Sequence, residues 1–210
     1  MPSKTAPPSS LRPAVWRVRV SLLCFAGLGM AVLFSGHPFR QGSLEALLLH
    51  CAGWALIVSG IMMRTWATLY LGGRKTKELM TEGPFSLCRN PLYLGSFCIA
   101  LGFAAHLQSL SFFAGTLLLF LGIFYPLIRE EEARLVAAFG EPYLAYKKAT
   151  PRVWPRRFGG WKTSTHVSVH MLALRRHCVR CVLILIASFA VASMSCLQDA
   201  GSIPQLLHLP

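Results

Sequence analysis

Long apolar runs constrain the fold of this chain more than any other feature of its sequence. Four runs, at roughly residues 15–34, 44–63, 92–128 and 179–197, are long enough, or nearly so, to cross a membrane. A helix rises about 1.5 Å per residue and needs about 20 residues to span a hydrocarbon core of about 30 Å. Because 54% of the residues are apolar and only 14% are charged, the sequence predicts a polytopic all-α membrane protein.

The third run is too long for one span and is interpreted as a helical hairpin. Its polar break lies near His106, Gln108 and Ser109, which leaves arms of about 15 and 19 residues and gives about five transmembrane helices in total. The first run, 15–34, follows basic residues without a convincing cleavage pattern, so it is interpreted as a retained helix and not as a signal peptide. Small residues on the first arm of the hairpin predict close helix packing there: Gly95, Ser96, Ala100, Gly102 and Ala104.

The basic residues indicate how the chain is oriented in the membrane. Most of the 21 lysines and arginines fall in the N-terminal segment, in residues 64–89 and in residues 129–180, and only Arg40 lies in the loop between the first two spans. The positive-inside rule therefore places the 64–90 loop and the 129–178 segment in the cytoplasm. At these membrane edges the net charge of +13 suits anionic lipids. Membrane lipids, and not nucleic acid, are the predicted partners.

The cysteines do not form a metal or disulfide framework in this prediction. Most of the seven lie in or beside apolar runs, where reduced cysteine packs as a small hydrophobic residue. Cys178 and Cys181, next to His177, have the spacing of half a zinc site, but a structural zinc needs four ligands and no second pair lies nearby. The sequence also contains no dinucleotide-binding glycine fingerprint, no nucleophile elbow and no His-Glu-x-x-His motif.

Two polar elements flank the hairpin on its predicted cytoplasmic side. The run from Gly83 to Tyr93 precedes the first arm, and Arg129 is followed by the acidic triplet 130–132 directly after the second. Three consecutive acidic residues stand out in a chain that has only 8, and at a membrane edge they are expected to have a cationic partner. Because the hairpin leaves and returns to the same side, both elements can line one pocket that faces the cytoplasm.

A series of ordered motifs extends across both elements, over about 75 residues. The motifs are Thr81–Phe85, Arg89–Gly95, Glu131–Glu132, Leu135, Phe139–Tyr143, Tyr146–Lys148 and Pro151–Pro155. In this order around a hairpin, they resemble the isoprenylcysteine carboxyl methyltransferase and phospholipid methyltransferase superfamily. The chain is accordingly interpreted as one membrane domain, residues 1–210, with a methyltransferase-like region at 76–155 and an extra C-terminal helix at 179–197.

The resemblance implies a small membrane enzyme that binds S-adenosylmethionine at the cytoplasmic face and methylates a lipid or lipidated small molecule from within the bilayer. Arg89 and Arg129 are the candidate substrate-binding residues, although Arg89 also suits an anchor beside lipid phosphates. No residue is singled out as catalytic, because in-line methyl transfer relies mainly on alignment and exclusion of water. The positions that match the cofactor site are Leu79, Met80 and Phe85 for the adenosine wall, Asn90, Pro91, Leu92 and Tyr93 for the turn, and Glu131 for the acidic ligand.

The chain departs from the family pattern at two positions. Asn90 stands where the family commonly has histidine, and asparagine cannot act as a base near neutral pH. Leu127 stands where the carboxyl methyltransferases have an arginine for the substrate carboxylate, and Arg129 lies on another face of the helix. Three functions stay open: carboxyl methylation of a prenylcysteine-like molecule, N-methylation of a phospholipid amine, and a non-catalytic binding or assembly role. The missing histidine base favours the first.

Five other polar and aromatic residues receive structural interpretations. Glu130 and Glu132 are expected at a solvated helix start. Tyr143, Tyr146 and Trp154, which lie beside basic residues, are expected in an aromatic belt at the membrane interface.

Overall fold

The described part of the chain is helical. The structure, a computed structural model, describes residues 43–71, 78–156 and 169–199, with the isolated positions 23, 27, 162 and 167. The first predicted span, 15–34, lies almost entirely outside these residues. No described residue belongs to a strand, and three described helices are long and apolar enough to cross a membrane, beside one shorter apolar helix. The predicted all-α polytopic membrane fold is confirmed.

The predicted hairpin is formed by a short helix and a long one. A π-helical segment, Phe120–Phe124, joins the helix Leu110–Leu119 to the helix Tyr125–Phe139, so that residues 110–139 make one continuous helix beside the shorter helix Pro91–Leu107. The last helix begins at Met171, about two turns before the predicted start. In chain order the helices are α1 (Leu44–Leu71), α2 (Pro84–Leu87), α3 (Pro91–Leu107), α4 (Leu110–Leu119), α5 (Tyr125–Phe139), α6 (Glu141–Ala149) and α7 (Met171–Asp199).

The tip of the hairpin lies where the polar break predicted it. α3 ends at Leu107, Gln108 adopts a left-handed conformation with φ 49°, and the Ser109 hydroxyl caps α4 by accepting a hydrogen bond from the Phe112 amide. His106 is fully buried, and its Nδ1 lies 3.3 Å from Nδ1 of His50 on α1. Gln108 Nε2 lies 3.1 Å from the other ring nitrogen of His50. The tip is therefore tied to the N-terminal end of α1.

Glycines allow α1 and α3 to approach to backbone contact. A Cβ atom added to Gly60 of α1 would lie 2.6 Å from the carbonyl oxygen of Gly95, and one added to Gly102 of α3 would lie 2.7 Å from that of Gly53. Both distances are too short for any side chain. Small residues at such positions let membrane helices pack through dispersion contacts, so the close packing predicted for the first arm is confirmed at Gly95 and Gly102.

The C-terminal helix α7 packs against α1 and α3. At one level the hydroxyl of Thr65 lies 3.0 Å from Nε2 of His177, and at another Ser195 donates a hydrogen bond of 3.0 Å to the carbonyl of His106. The opposite face of α7 exposes large apolar side chains such as Leu183 and Phe189, as expected of a face that contacts lipid.

Candidate functional site

A buried carboxylate, Glu132, organises the base of the hairpin. Its side chain is 3% exposed. Oε1 accepts hydrogen bonds from Nε of Arg89 at 3.0 Å and from Nδ2 of Asn90 at 3.3 Å, while Oε2 accepts one from Nε of Arg152 at 3.1 Å. Burial is the largest influence on the pKa of Arg152 and lowers it, but the hydrogen bond and charge of Glu132, together with Tyr125, outweigh burial and raise the pKa overall. One carboxylate therefore links α5 to the chain segments before α3 and after α6.

The partners of Glu132 extend the network to the backbone. Nη1 of Arg89 donates to the carbonyl oxygens of Lys147, at 2.5 Å, and Thr150, at 3.2 Å. Asn90 precedes α3, yet its side chain makes no cap for that helix, although asparagine is a favoured N-cap residue. Its amide donates instead to Glu132 and, at 3.0 Å, to the carbonyl oxygen of Arg152. Asn90 is thus a structural residue in this network.

A second, more accessible carboxylate lies between α3 and α5. Tyr93 Oη donates a hydrogen bond of 3.0 Å to Oε2 of Glu131, which is only half-buried. The Tyr93 ring contacts Phe124 edge-on, with ring centroids 6.1 Å apart, at the end of the π-helical segment. Arg134, one turn along α5, interacts electrostatically with Tyr93. The result is an accessible carboxylate held by a hydroxyl, with a cation nearby.

An apolar cluster forms where the segment before α3 faces α1. Phe85 packs with Tyr70 of α1, and Met80 and Leu92 pack against them. Gly83 adopts φ 59°, and a Cβ atom there would lie 2.6 Å from the Tyr70 ring, so both backbone conformation and space require glycine. The cluster brings together three of the residues that were predicted to line the cofactor site.

The other predicted site residues have different environments. Pro91 is buried as the first residue of α3, where its ring suits the helix start, and Leu79 is half-buried before α2. Arg129 is exposed on α5, whereas the Arg89 side chain is 7% exposed and bonded to Glu132. The two candidate substrate-binding arginines therefore do not share one surface.

Two structural interpretations from the sequence are wrong. Glu132 is buried and not solvated, because two arginines compensate its charge, whereas Glu130 is exposed as expected. Tyr143 and Tyr146 are also buried and so cannot form an interfacial belt. Tyr146 donates a hydrogen bond of 2.6 Å to the carbonyl oxygen of Phe85. Burial, reinforced by the nearby Glu132 carboxylate, raises the pKa of Tyr143 to about 12.

The sequence interpretation missed the role of Arg152. Its guanidinium also donates a hydrogen bond of 2.7 Å to the Tyr125 hydroxyl and lies over the Tyr125 ring, 5.3 Å from its centroid. The available signal was a basic residue inside the motif Pro151–Pro155, together with an acidic triplet that needed cations.

The residues whose spacing matches half a zinc site include a hydrogen-bonded pair in the structure. Nε2 of His177 lies 3.2 Å from Sγ of Cys181, while Cys178 is exposed. Within the residues that the structure describes, no three histidine, cysteine or acidic side chains form a group that could hold a metal ion.

Comparison with known proteins gives the family of this bundle. The family model for phospholipid methyltransferases matches residues 41–142, which include α1 to α5 and the Glu131–Tyr93 pair. Protein-S-isoprenylcysteine O-methyltransferase of Xenopus laevis is 31% identical over 117 residues, which cover 51% of this chain and 41% of that protein. The chain belongs to the isoprenylcysteine carboxyl methyltransferase and phospholipid methyltransferase superfamily. No solved structure matches the chain.

Two metal-resistance proteins align with nearly the whole chain. The cobalt-zinc-cadmium resistance protein CzcN of Cupriavidus metallidurans is 32% identical over 198 residues, which cover 94% of this chain and 88% of that protein. The nickel-cobalt-cadmium resistance protein NccN of Alcaligenes xylosoxydans xylosoxydans is 29% identical over 199 residues, with 95% and 90% covered. The similarity to these two proteins therefore includes α7, which lies beyond the match to the family model.

Proposed function

We propose that this chain is an S-adenosylmethionine-dependent methyltransferase that acts on a lipophilic substrate in the membrane. The observation that carries the proposal is the pairing of Tyr93 with the accessible Glu131 carboxylate, beside the apolar cluster of Met80, Phe85 and Leu92. Membership of a methyltransferase superfamily supports it. Positive-inside charge supports a site that opens to the cytoplasm.

The chemistry of the donor set fits this cofactor. S-adenosylmethionine combines a sulfonium, an ammonium and a carboxylate with an apolar purine, and its sulfonium methyl is the group transferred. Glu131 offers the negative group, Arg134 a positive one, and Met80 and Phe85 an apolar wall. Tyr93 fixes the Glu131 carboxylate by its hydrogen bond, which limits the reorganisation needed when a cation binds.

In this proposal, the residues of the chain align the methyl acceptor with the cofactor and exclude water from the reacting atoms. In-line displacement needs the acceptor atom held opposite the leaving sulfur, and burial of Asn90 and Pro91 gives a rigid turn on which that alignment depends. The Asn90 amide is occupied by Glu132 and the Arg152 carbonyl, so no proton transfer is assigned to it. A carboxylate acceptor needs no base. We therefore propose a prenylcysteine-like carboxylate as the acceptor, with a phospholipid amine as the alternative.

Cofactor binding tests this proposal most directly. We expect calorimetry on detergent-purified protein to show micromolar binding of S-adenosylhomocysteine, and Glu131→Gln to weaken that binding roughly 10- to 100-fold, because a hydrogen bond to a charged group contributes about 1.5–3 kcal/mol. Glu130→Gln is the matched control, since it removes the same charge from an exposed neighbour. Folded wild-type protein that binds no cofactor would contradict the proposal and favour the non-catalytic role.

A double-mutant cycle tests whether Tyr93 acts through Glu131. Tyr93→Phe alone removes the hydroxyl that bonds the carboxylate and should weaken binding by less than Glu131→Gln does. In the Glu131→Gln background the same change should have little further effect. Additive losses from the two changes would mean that Tyr93 contacts the cofactor independently.

The names of the full-length relatives suggest where such a methyltransferase would act. Both CzcN and NccN are named for resistance to divalent metal ions, and we propose that methyl transfer by this chain serves the same process. In cells that lack the protein, the wild type and Glu130→Gln should then restore growth on cobalt or cadmium. Glu131→Gln should not, and full rescue by Glu131→Gln would separate metal resistance from the cofactor site.

A further inference from the structure

Arg64 carries a positive charge into the membrane-spanning helix α1. It lies about two turns before the end of that helix at Leu71 and is half-buried. Its Nη1 donates a hydrogen bond of 3.1 Å to the carbonyl oxygen of Leu92 and another to the hydroxyl of Ser96, both on α3. Neither acceptor carries a formal charge, and an ionised group at this depth is costly unless a counter-charge is present.

No carboxylate in the described part of the chain supplies that counter-charge. The protein has 8 acidic residues, and two of them, Glu45 and Asp199, stand at the far ends of α1 and α7. The described groups that act electrostatically on Arg64 are Cys181 and Arg180 of α7. Because Arg180 has the same sign as Arg64, it increases the local positive charge instead of balancing it.

The surrounding helices hold the two arginines at one level of the bundle. A Cβ atom at Gly95 would lie 2.6 Å from Cγ of Arg64. The absence of a side chain at Gly95 therefore leaves room for the Arg64 side chain to pack against α3. His177 interacts electrostatically with both Arg64 and Arg180, and its hydrogen bond to Thr65 fixes α7 against α1 at this level. The positive pair is therefore part of the packed α1–α3–α7 junction.

We propose that Arg64 and Arg180 bind the phosphate group of an anionic phospholipid where α7 packs against α1. Arginine has five N–H donors in a planar fork that matches phosphate oxygens, and only part of the Arg64 fork is used by α3. Val179 and Leu183, on either side of Arg180 in the chain, are exposed and offer an apolar surface for acyl chains. Neither Arg64 nor Arg180 belongs to the residues proposed to hold the cofactor, although Arg64 donates a hydrogen bond to the backbone carbonyl of Leu92 beside that site. The lipid site thus goes beyond the proposed methyltransferase site and stands without it.

Lipid titrations of the purified full-length protein test this site. In neutral detergent micelles, phosphatidylglycerol should raise the melting temperature of the wild type more than phosphatidylcholine does, and inorganic phosphate should not raise it. The apparent affinity for phosphatidylglycerol should fall roughly fivefold in R180Q and in R64Q. R175Q is the matched control, because Arg175 is also exposed on α7 but points about 140° away from Arg180.

Three results would overturn the assignment. Equal weakening in R175Q would mean that the lipid responds to the general charge of α7, and unchanged affinity in R180Q would mean that Arg180 does not contact it. A shift reproduced by inorganic phosphate would indicate a site for a free anion. If R64Q does not fold, R180Q decides the outcome alone, since that side chain is exposed.

Discussion

Glu132→Gln is expected to destabilise the protein by about 3–5 kcal/mol, because removing one partner of a buried ion pair leaves the other charge uncompensated. Glutamine keeps the size of the side chain but not its charge. The Arg89 side chain is only 7% exposed, so water cannot replace the lost carboxylate. Arg152, which is more exposed, should contribute less to the loss.

Thermal or denaturant unfolding in detergent would measure this effect. Glu130→Gln lies two positions earlier on the same helix, is exposed, and should change stability by less than about 0.5 kcal/mol. Comparable destabilisation by both variants would show that the charge of the triplet as a whole matters and that the bonds to Glu132 do not. Wild-type stability in Glu132→Gln would contradict the ion-pair network itself.

Gly60→Leu should prevent native packing of α1 against α3 and cost more than about 4 kcal/mol, which is exceptional for a single substitution. Even the Cβ atom of alanine would lie 2.6 Å from the Gly95 carbonyl oxygen and 2.8 Å from Ile99. The obstructing atom is backbone, so no rotation of a side chain relieves the clash. Gly60→Ala should therefore show a smaller loss in the same direction, despite the higher helix propensity of alanine.

Gly122 provides the control for this prediction. It lies in the π-helical segment, and a Cβ atom there would meet nothing within 4 Å. Gly122→Leu should leave unfolding in detergent nearly unchanged, whereas Gly60→Leu should abolish the cooperative transition. If both variants lose the same stability, the loss would come from replacing any helical glycine with leucine. The close contact between α1 and α3 would then not be decisive.

The fold was predictable because its main determinant, the length and position of the apolar runs, can be read directly from the sequence. Apolar runs set the helices, and the polar break at Gln108 and Ser109 set the hairpin tip. The π-helical segment at Phe120–Phe124 was not predictable, since apolar residues in a membrane helix have no periodicity that distinguishes an α-helical turn from a π-helical one. The start of α7 was misplaced because the basic residues Arg175 and Arg176 lie inside the helix.

The candidate site was predictable only where residues are close in sequence or belong to a motif. The association of Glu132 with Arg89 and Arg152 depends on contacts across 43 and 20 positions, and no local pattern distinguishes Glu132 from its exposed neighbour Glu130. Burial of Tyr143 and Tyr146 follows from the same long-range network. In sequence, a basic residue beside an aromatic residue forms the same pattern whether the pair lies at a membrane interface or in a protein core.

The short helix α3 affects the bilayer around it. Its 17 residues extend only about 25 Å, roughly 5 Å less than the hydrocarbon core, so the membrane must thin locally or admit the helix ends below its surface. Nδ2 of Asn90 at one end, and Nδ1 of His106 and Nε2 of Gln108 at the other, have partners within the protein, which lowers the cost of admitting these atoms. A shallow depression of the bilayer follows at the end of α3 that carries Tyr93, and under the function proposed above it would bring the polar head of a membrane-dissolved substrate near the cofactor site while its chains stay in the lipid.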